Sequence, residues 1–216
     1  MIGLVKAIAF GVIILLPLAN PLTAVAMFLG LAGGMSKAER NKTAVQSALY
    51  TLIILLVVWY AGNYIMEAFG ISIAGLRIAG GLIVAFIGFT MLFPPAKAAG
   101  SAPLESAQSS SSISFVPLAM PATAGPGTIA LVMSTASTLH TEHDISELVI
   151  LLAPPIVAIV IAALLWLSLR FSNSIMKLLG QKGIGAISRL MGFLLVCIGV
   201  QFVINGVLEI VQHYHA

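Results

Sequence analysis

The first apolar run of this chain is interrupted by PLANPLT (residues 17–23), which places two prolines and an asparagine in a stretch without charge from residue 7 to residue 34. Residues 117–123 read PLAMPAT, which is identical at five of seven positions and lies 100 residues further along. Proline inside a helix removes a hydrogen bond and clashes with the preceding turn, at a cost of about 3 kcal/mol. Two matched interruptions suggest that the breaks serve a purpose.

The composition is that of a membrane protein. Of the 216 residues, 60% are hydrophobic and 8% are charged, whereas soluble domains carry about 25% charged residues. Apolar stretches long enough to cross a bilayer as helices cover residues 4–32, 44–66, 73–93, 114–138, 147–170 and 187–209. The sequence has neither the short alternating strands of an outer-membrane barrel nor the basic stripe of a nucleic-acid-binding protein. We therefore expect an all-α polytopic membrane protein, with the lipid bilayer as a partner and no nucleic acid.

Two further blocks repeat in the same order as the opening motif. Residues 63–70 resemble residues 173–180 at an offset of 110, and residues 77–84 resemble residues 189–196 at an offset of 112. Self-similarity of this kind indicates repeated structural units.

The repeat divides the chain into three regions. These are a first three-helix repeat at residues 1–93, a polar linker at 94–113, and a second three-helix repeat at 114–216. Because three spans are an odd number, the second repeat enters the membrane from the opposite side. We predict six transmembrane helices arranged as two inverted three-helix repeats, with discontinuous helices 1 and 4.

The basic residues predict the orientation, since Lys and Arg are favoured in cytoplasmic loops. If both termini are periplasmic, two basic residues face outward, Lys6 and Arg77. The other eight face the cytoplasm together with the linker: Lys37, Arg40, Lys42, Lys97, Arg170, Lys177, Lys182 and Arg189. The loop that follows span 4 carries the acids Glu142, Asp144 and Glu147 and no base, which agrees with that orientation.

Matched discontinuous helices in inverted halves are the best sequence indicator of a transporter's binding site. A half-helix that begins in mid-membrane presents unpaired N–H groups and the positive end of its dipole, which favour an anionic group. Unwound carbonyls can receive an ammonium group, and hydroxyl and amide side chains add hydrogen bonds. The predicted substrate-binding residues are Asn20, Pro21, Thr23, Thr123, Gly125, Gly127 and Thr128.

Two alternatives remain open at these breaks. Prolines also kink membrane helices that bind nothing, and small or hydroxyl residues also serve helix packing. The alignment is ambiguous as well, because PLANPLT pairs with PLAMPAT at offset 100, whereas residues 20–23 pair with residues 125–128 (GPGT) at offset 105. Either Thr123 or Thr128 is therefore the counterpart of Thr23.

Other polar residues receive weaker interpretations. Arg77 and Arg189 occupy matched positions, where they either extend to the lipid headgroups or form a gate on each face. Gln201 and Asn205 lie one turn apart in span 6 and suit hydrogen bonding between helices. The sequence has no HExxH, GxSxG or GxxxxGK[ST] motif. We therefore expect no enzyme activity, no catalytic residue, no metal site and no cofactor; a coupling ion is left open.

Five segments carry a resemblance to a known family: PLANPLT, SKAERNKTA, GLRIAGGLIVAFIGF, PLAMPATAGPGTIA and AISRLMGFLLVCIGVQFVINGVLEI. They resemble the MarC family of bacterial inner-membrane proteins over nearly the whole chain. The family is grouped with the lysine-exporter-like superfamily, and some members are described as transporters of small neutral amino acids. The resemblance implies an inner-membrane location and agrees with an uncharged site.

These observations favour a secondary transporter of a small neutral solute, most simply glycine, alanine, serine or threonine, with a small-molecule site at the two breaks. The first alternative is a non-transporting membrane scaffold or sensor, which predicts a closed apolar region around the breaks. The second is drug efflux, which predicts a large cavity lined by aromatic residues and an acidic group. A homo-oligomer is compatible with all three.

Overall fold

The computed structural model describes residues 2–93, 114–119, 123–141 and 147–214, and most of these residues are helical, with no β-strand among them. Seven α-helices and one π-helical turn follow one another: α1 (Ile2–Ala19), α2 (Pro21–Leu31), α3 (Lys37–Phe69), α4 (Ile73–Leu92), the π-helical turn (Ser114–Ala119), α5 (Pro126–Thr141), α6 (Glu147–Arg170) and α7 (Ser172–Tyr214). The predicted linker at 94–113 and the acids Glu142 and Asp144 lie outside the described residues.

Within the described residues, five stretches are long and apolar enough to cross a membrane, where the sequence predicts six. They are Gly3–Leu31, Lys37–Phe69, Ile73–Leu92, Val149–Arg170 and Ser172–Gln212. The described part of the predicted span at 114–138 comprises the π-helical turn and α5, and the apolar part of α5, Pro126–Ala136, is shorter than a membrane span. The sequence between the turn and α5 holds one proline and one glycine, Pro121 and Gly125, and both residue types disfavour a helix interior.

The chain leaves the helical conformation at Asn20, between α1 and α2. Its backbone is left-handed, with φ 34° and ψ 63°, a conformation that asparagine tolerates better than most residues. The Asn20 side-chain oxygen accepts a hydrogen bond from the Thr23 N–H at 3.3 Å, and Pro21 occupies the first helical position, where its missing N–H is not needed. Asn20 therefore both ends α1 and caps α2.

Two glycines with positive φ mark the other changes of direction. Gly70 ends α3 with φ 64° and ψ 28°, and Gly180 interrupts α7 with φ 64° and ψ 173°. The helix from Ser172 to Tyr214 is consequently two segments joined at a kink. Span 6, predicted at 187–209, lies in the second segment.

The most extensive contact between described helices joins α4 to α7. Gly81 and Gly88 of α4 face Gly199 and Gly192 of α7, where an added Cβ would lie 2.5–2.9 Å from backbone atoms of the opposite helix. The two backbones therefore touch directly, as small residues allow in membrane helices. The remaining core consists of one cluster between α1, α3, α5 and α6 and a second between α2, α3, the π-helical turn and α6.

Candidate functional site

The two interrupted regions meet at one cavity of about 230 Å³. Five of the seven residues predicted to bind substrate lie on its wall: Asn20, Thr23, Gly125, Gly127 and Thr128. The wall is completed by Leu18, Val84, Ile87, Met91, Pro126 and Leu195. These residues come from α1, α2, α4, α5 and α7, and none of them carries an ionisable side chain. The cavity is thus a small, uncharged space with polar groups on the side formed by the breaks.

Asn20 and Thr23 form the polar side of the wall that belongs to the first break. The Asn20 side chain is 6% exposed, and its amide nitrogen contacts the Met91 sulfur at 3.6 Å. The Thr23 hydroxyl lies 3.4 Å from the Ser188 hydroxyl, which is a long contact for two hydroxyls. A thioether is a weak acceptor, so the Asn20 amide and the Thr23 hydroxyl both retain capacity to bind a solute.

The helix of the second break begins in a similar way, shifted by 105 residues, although Gly125 lacks the left-handed backbone of Asn20. Each helix begins with proline at its first position and has threonine at its third: Pro21 and Thr23 in α2, Pro126 and Thr128 in α5. The residue before each proline accepts a backbone hydrogen bond from the residue four positions later, at 3.3 Å for Asn20 and 3.0 Å for Gly125. The backbone therefore supports the alignment in which Thr128, and not Thr123, is the counterpart of Thr23.

The two threonines of the second break have structural partners. The Thr123 hydroxyl donates to the Leu118 carbonyl at 3.1 Å, and the Thr128 hydroxyl donates to the Thr123 carbonyl at 3.0 Å. These bonds satisfy carbonyls that the non-helical backbone would otherwise leave free. Thr123 is buried away from the cavity wall, and Pro21 is likewise not on it. Among the predicted residues, these two are positioned to hold the backbone.

Gly127 lies on the cavity wall at a position that leaves no room for a side chain. A Cβ on this residue would lie 2.8 Å from the Val84 side chain and 3.5 Å from the side chains of Ile87 and Leu18, all three of which line the cavity. The first N–H groups of a helix have no partner within the helix, and Gly127 and Thr128 supply two of them. The absence of a side chain leaves this end of α5 accessible from the cavity.

Comparison with known proteins identifies the family. The model of the MarC family of integral membrane proteins matches residues 5–211. The chain belongs to the MarC family. It is 57% identical over 221 residues, covering 100% of both chains, to the inner membrane protein MarC of Escherichia coli strain K12 and to that of Shigella flexneri. No solved structure matches it.

In this MarC-family chain the two matched arginines differ in their surroundings. Arg77 forms an ion pair with Glu209 at 2.8 Å and donates from Nε to the Ser134 hydroxyl at 3.2 Å. Arg189 is exposed. Neither arginine lines the cavity. The sequence repeat therefore predicts their positions in the helices but not their partners.

The MarC-family fold also contains a larger cavity of about 460 Å³ between α1, α3, α5 and α6. Phe10, Trp59 and the small residues Gly3, Ala7 and Gly11 are among those that line it. Its one hydroxyl residue, Thr135, donates to the Leu131 carbonyl at 2.9 Å. This space has the size of a site for a drug-like ligand but lacks ionisable groups on its wall.

Sequence reasoning missed the apolar part of the smaller cavity. Val84, Ile87 and Met91 lie three and four positions apart, which places them on one face of α4. The spacing could have indicated a shared face, but an apolar face of a membrane helix is equally suited to lipid. Leu195 of α7 carries no local signal either, because only packing brings it to the break.

Proposed function

We propose that this chain is a secondary transporter of a small neutral solute, most simply a small neutral amino acid, bound where the two helix breaks meet. The observation that carries the proposal is the single 230 Å³ cavity on which residues 20–23 and 125–128 converge. Ligand cavities for drug-sized molecules occupy about 300–1,000 Å³, so this one suits a smaller solute. Its uncharged wall disfavours lysine, glutamate and other ions with a net charge.

The chemistry of a zwitterion fits the groups on the wall. A carboxylate is stabilised by the N-terminal N–H groups of α5 and by the dipole of that helix. An ammonium group binds oxygen acceptors such as the Asn20 side chain and the carbonyls of the break. A small side chain then lies against Val84, Ile87 and Leu195.

Two inverted repeats with discontinuous first and fourth helices would explain this convergence. In such an arrangement α1, α2, α3 and α4 correspond to the π-helical turn, α5, α6 and α7, respectively. In support, contacts between elements occur in pairs that this correspondence relates. The contact of α1 with α6 corresponds to that of the turn with α3, and the contact of α2 with α7 corresponds to that of α5 with α4. Gly70 and Gly180, which the sequence repeat pairs, both have φ 64°. An inverted arrangement lets one half rock against the other around a fixed site.

The scaffold alternative predicts a closed apolar region at the breaks, which the cavity with Asn20 and Thr23 on its wall does not favour. Drug efflux has one observation in its favour. The 460 Å³ cavity is large enough for a drug-like molecule and includes Phe10 and Trp59. Transport of an apolar dye that competes with no amino acid would support this second function.

The test is counterflow of labelled glycine, alanine, serine and threonine in proteoliposomes, with lysine and glutamate as charged comparisons and with sodium present or absent. Gly127→Ala places a methyl group against Val84 and is expected to lower transport of the small neutral set by tenfold or more, since one methylene in a closed pocket changes binding about 10- to 200-fold. Gly30→Ala is the matched control, because its Cβ meets nothing within 4 Å.

A second pair of variants separates the contribution of the Thr23 hydroxyl to binding from that of the shape of the Thr23 side chain. Thr23→Val is expected to weaken solute affinity about three- to tenfold, the value of one hydrogen bond, and Thr23→Ser is expected to retain it. Equal transport by folded Gly127→Ala and Gly30→Ala proteins would contradict the assignment of the site. No counterflow of any amino acid would contradict the proposed substrate class.

A further inference from the structure

Two amide side chains lie on the outer face of α7. The Gln201 Nε2 donates to the Asn205 Oδ1 at 2.9 Å, and both residues are exposed. They lie within the uncharged stretch from Leu190 to Leu208, with Gln201 eleven residues beyond its start and seven before its end. Gln201 is thus close to the middle of a segment long enough to cross the bilayer.

Amides in this place are expensive in a single chain. The opposite face of α7, with Gly192, Gly199 and Gly206, packs on α4, so the face that carries Gln201 is turned away from the bundle. The bond between the two amides uses one donor and one acceptor, and neither amide has another partner in the described part of the chain. Amide groups left unpaired in hydrocarbon cost several kcal/mol each.

The residues around Gln201 form a continuous stripe along this face. Leu194, Cys197, Gln201, Ile204 and Leu208 are separated by three, four, three and four positions, and all are exposed. This spacing is the a and d pattern of a left-handed helix pair, which is also the common crossing geometry of membrane helices. A neighbouring exposed row that includes Phe193, Val200 and Val207 has the same spacing, so it is the polar residue at its centre that distinguishes this stripe.

We propose that the stripe is the interface on which a second copy of this chain packs, with the Gln201 side chains of the two copies hydrogen-bonded to each other. A two-fold axis brings the same patch of both copies together, and an amide is complementary to itself because it carries both donors and acceptors. A single polar residue at such a seam also fixes its register.

The first half of the chain supports a specific role for the amides. At the offset of 112 that aligns residues 77–84 with 189–196, Gln201 and Asn205 correspond to Phe89 and Phe93. Both phenylalanines are exposed, at 51% and 73%. The repeated fold therefore does not need amides at these positions, and their presence on α7 alone agrees with an interface formed by α7.

The native cysteine permits a direct test. Cys197 lies at a d position of the stripe, so a two-fold helix pair brings the thiols of two copies within reach of a disulfide. Oxidation of inner-membrane vesicles with copper–phenanthroline, which takes two electrons from the two thiols, is expected to give a product at twice the mass of one chain. Gln201→Leu is expected to lower the fraction of this product about three- to tenfold, the value of one hydrogen bond between membrane helices.

The matched control moves the thiol to α4. In the Cys197→Ser background, Phe86→Cys places a cysteine at a position that is 69% exposed and one residue beyond Ala85, which contacts Gly199. This variant has a similar depth but lies off the stripe, so it is expected to give at most a tenth of the product.

Folding does not confound the comparison, because Gln201→Leu replaces an exposed amide by an apolar residue. A thermal melt of the detergent-purified variants checks this. Equal cross-linking by Cys197 and by Phe86→Cys would overturn the proposal, and so would a Cys197 product at any other mass. An undiminished product in Gln201→Leu would overturn the role of the amides.

Discussion

At the residue scale, Asn20 combines a backbone role with a place on the cavity wall. Its left-handed backbone, its cap on α2 and its contact with Met91 all occur at one position. Most residues with a Cβ lose about 1–2 kcal/mol in the left-handed region, and loss of a cap costs about 1 kcal/mol. Asparagine satisfies both requirements and still presents an amide to the cavity.

Variants at Asn20 separate these roles. Asn20→Ala is expected to destabilise the protein by about 2 kcal/mol, because it loses both the cap and the tolerance of the left-handed backbone. Asn20→Gly retains the left-handed backbone conformation, and the poorer cap is expected to lower the stability by only a few tenths of a kcal/mol. Thermal melts in detergent measure the order, and equal losses in the two variants would show that the backbone conformation is not the cause.

At the residue scale as well, the two threonines of the second break show what the sequence motif leaves undecided. The sequence left Thr123 and Thr128 as alternative counterparts of Thr23. The structure gives Thr128 the third position of α5, which matches Thr23 in α2, while Thr123 bonds to the Leu118 carbonyl and is buried off the wall. The choice depends on where each helix begins, which the residue types alone did not fix.

At the scale of elements, the seam between α4 and α7 leaves no room for side chains at its glycines. A Cβ on Gly199 would lie 2.5 Å from the Ala85 nitrogen and the Gly81 carbonyl oxygen. Backbone atoms cannot rotate away as a side chain can, so the helices must separate. The glycines of α4 are thereby explained by packing within one chain: Gly81 and Gly88 face α7, and Gly80 faces Ala130 of α5.

Gly199→Ala is accordingly expected to destabilise the protein by about 1–3 kcal/mol, the usual cost of overpacking. Gly185→Ala on the same helix is the control, since its Cβ meets nothing within 4 Å, and it is expected to be neutral or slightly stabilising. Melting temperature and yield in the membrane measure the difference. Equal stability of the two variants would mean that α4 and α7 are further apart than the structure gives.

At the scale of the whole molecule, the charges predict that both termini face the periplasm. Eight of the ten basic residues then lie on the cytoplasmic side, in agreement with the preference of Lys and Arg for that side. Two of them, Arg40 and Arg170, lie over the rings of Phe28 and Trp166 and bond to Asn173 and Asn41. The ends of α3 and α6 thus meet on the face that carries the basic residues.

Fusions to the C-terminus test this orientation. Alkaline phosphatase is active only in the periplasm, so its fusion to the C-terminus is expected to be active. Green fluorescent protein does not mature after export through the general secretion pathway, so its fusion to the C-terminus is expected to remain dark. Fusions after residue 97 serve as the control and are expected to give the reverse pattern. A fluorescent C-terminal fusion would place the terminus in the cytoplasm and invert the predicted topology.

What the sequence determined by itself is local. Apolar length predicts the bounds of α4 and α6 to within a residue of those observed, because a membrane helix needs one apolar run of about 20 residues. Proline and asparagine at residues 17–23 predict an interruption. Proline clashes with the preceding turn and lacks an N–H, and the asparagine side chain competes for backbone hydrogen bonds. Family membership also follows from the sequence.

Only the tertiary structure decided which distant residues meet. Residues 20–23 and 125–128 share a cavity, Arg77 pairs with Glu209, and α4 lies against α7 by backbone contact. Helix periodicity tells which residues share a face but not what that face touches, and in lipid an apolar face fits a neighbouring helix and the bilayer equally well. Close packing of small residues between α4 and α7, and of the break residues around one cavity, resolves that ambiguity.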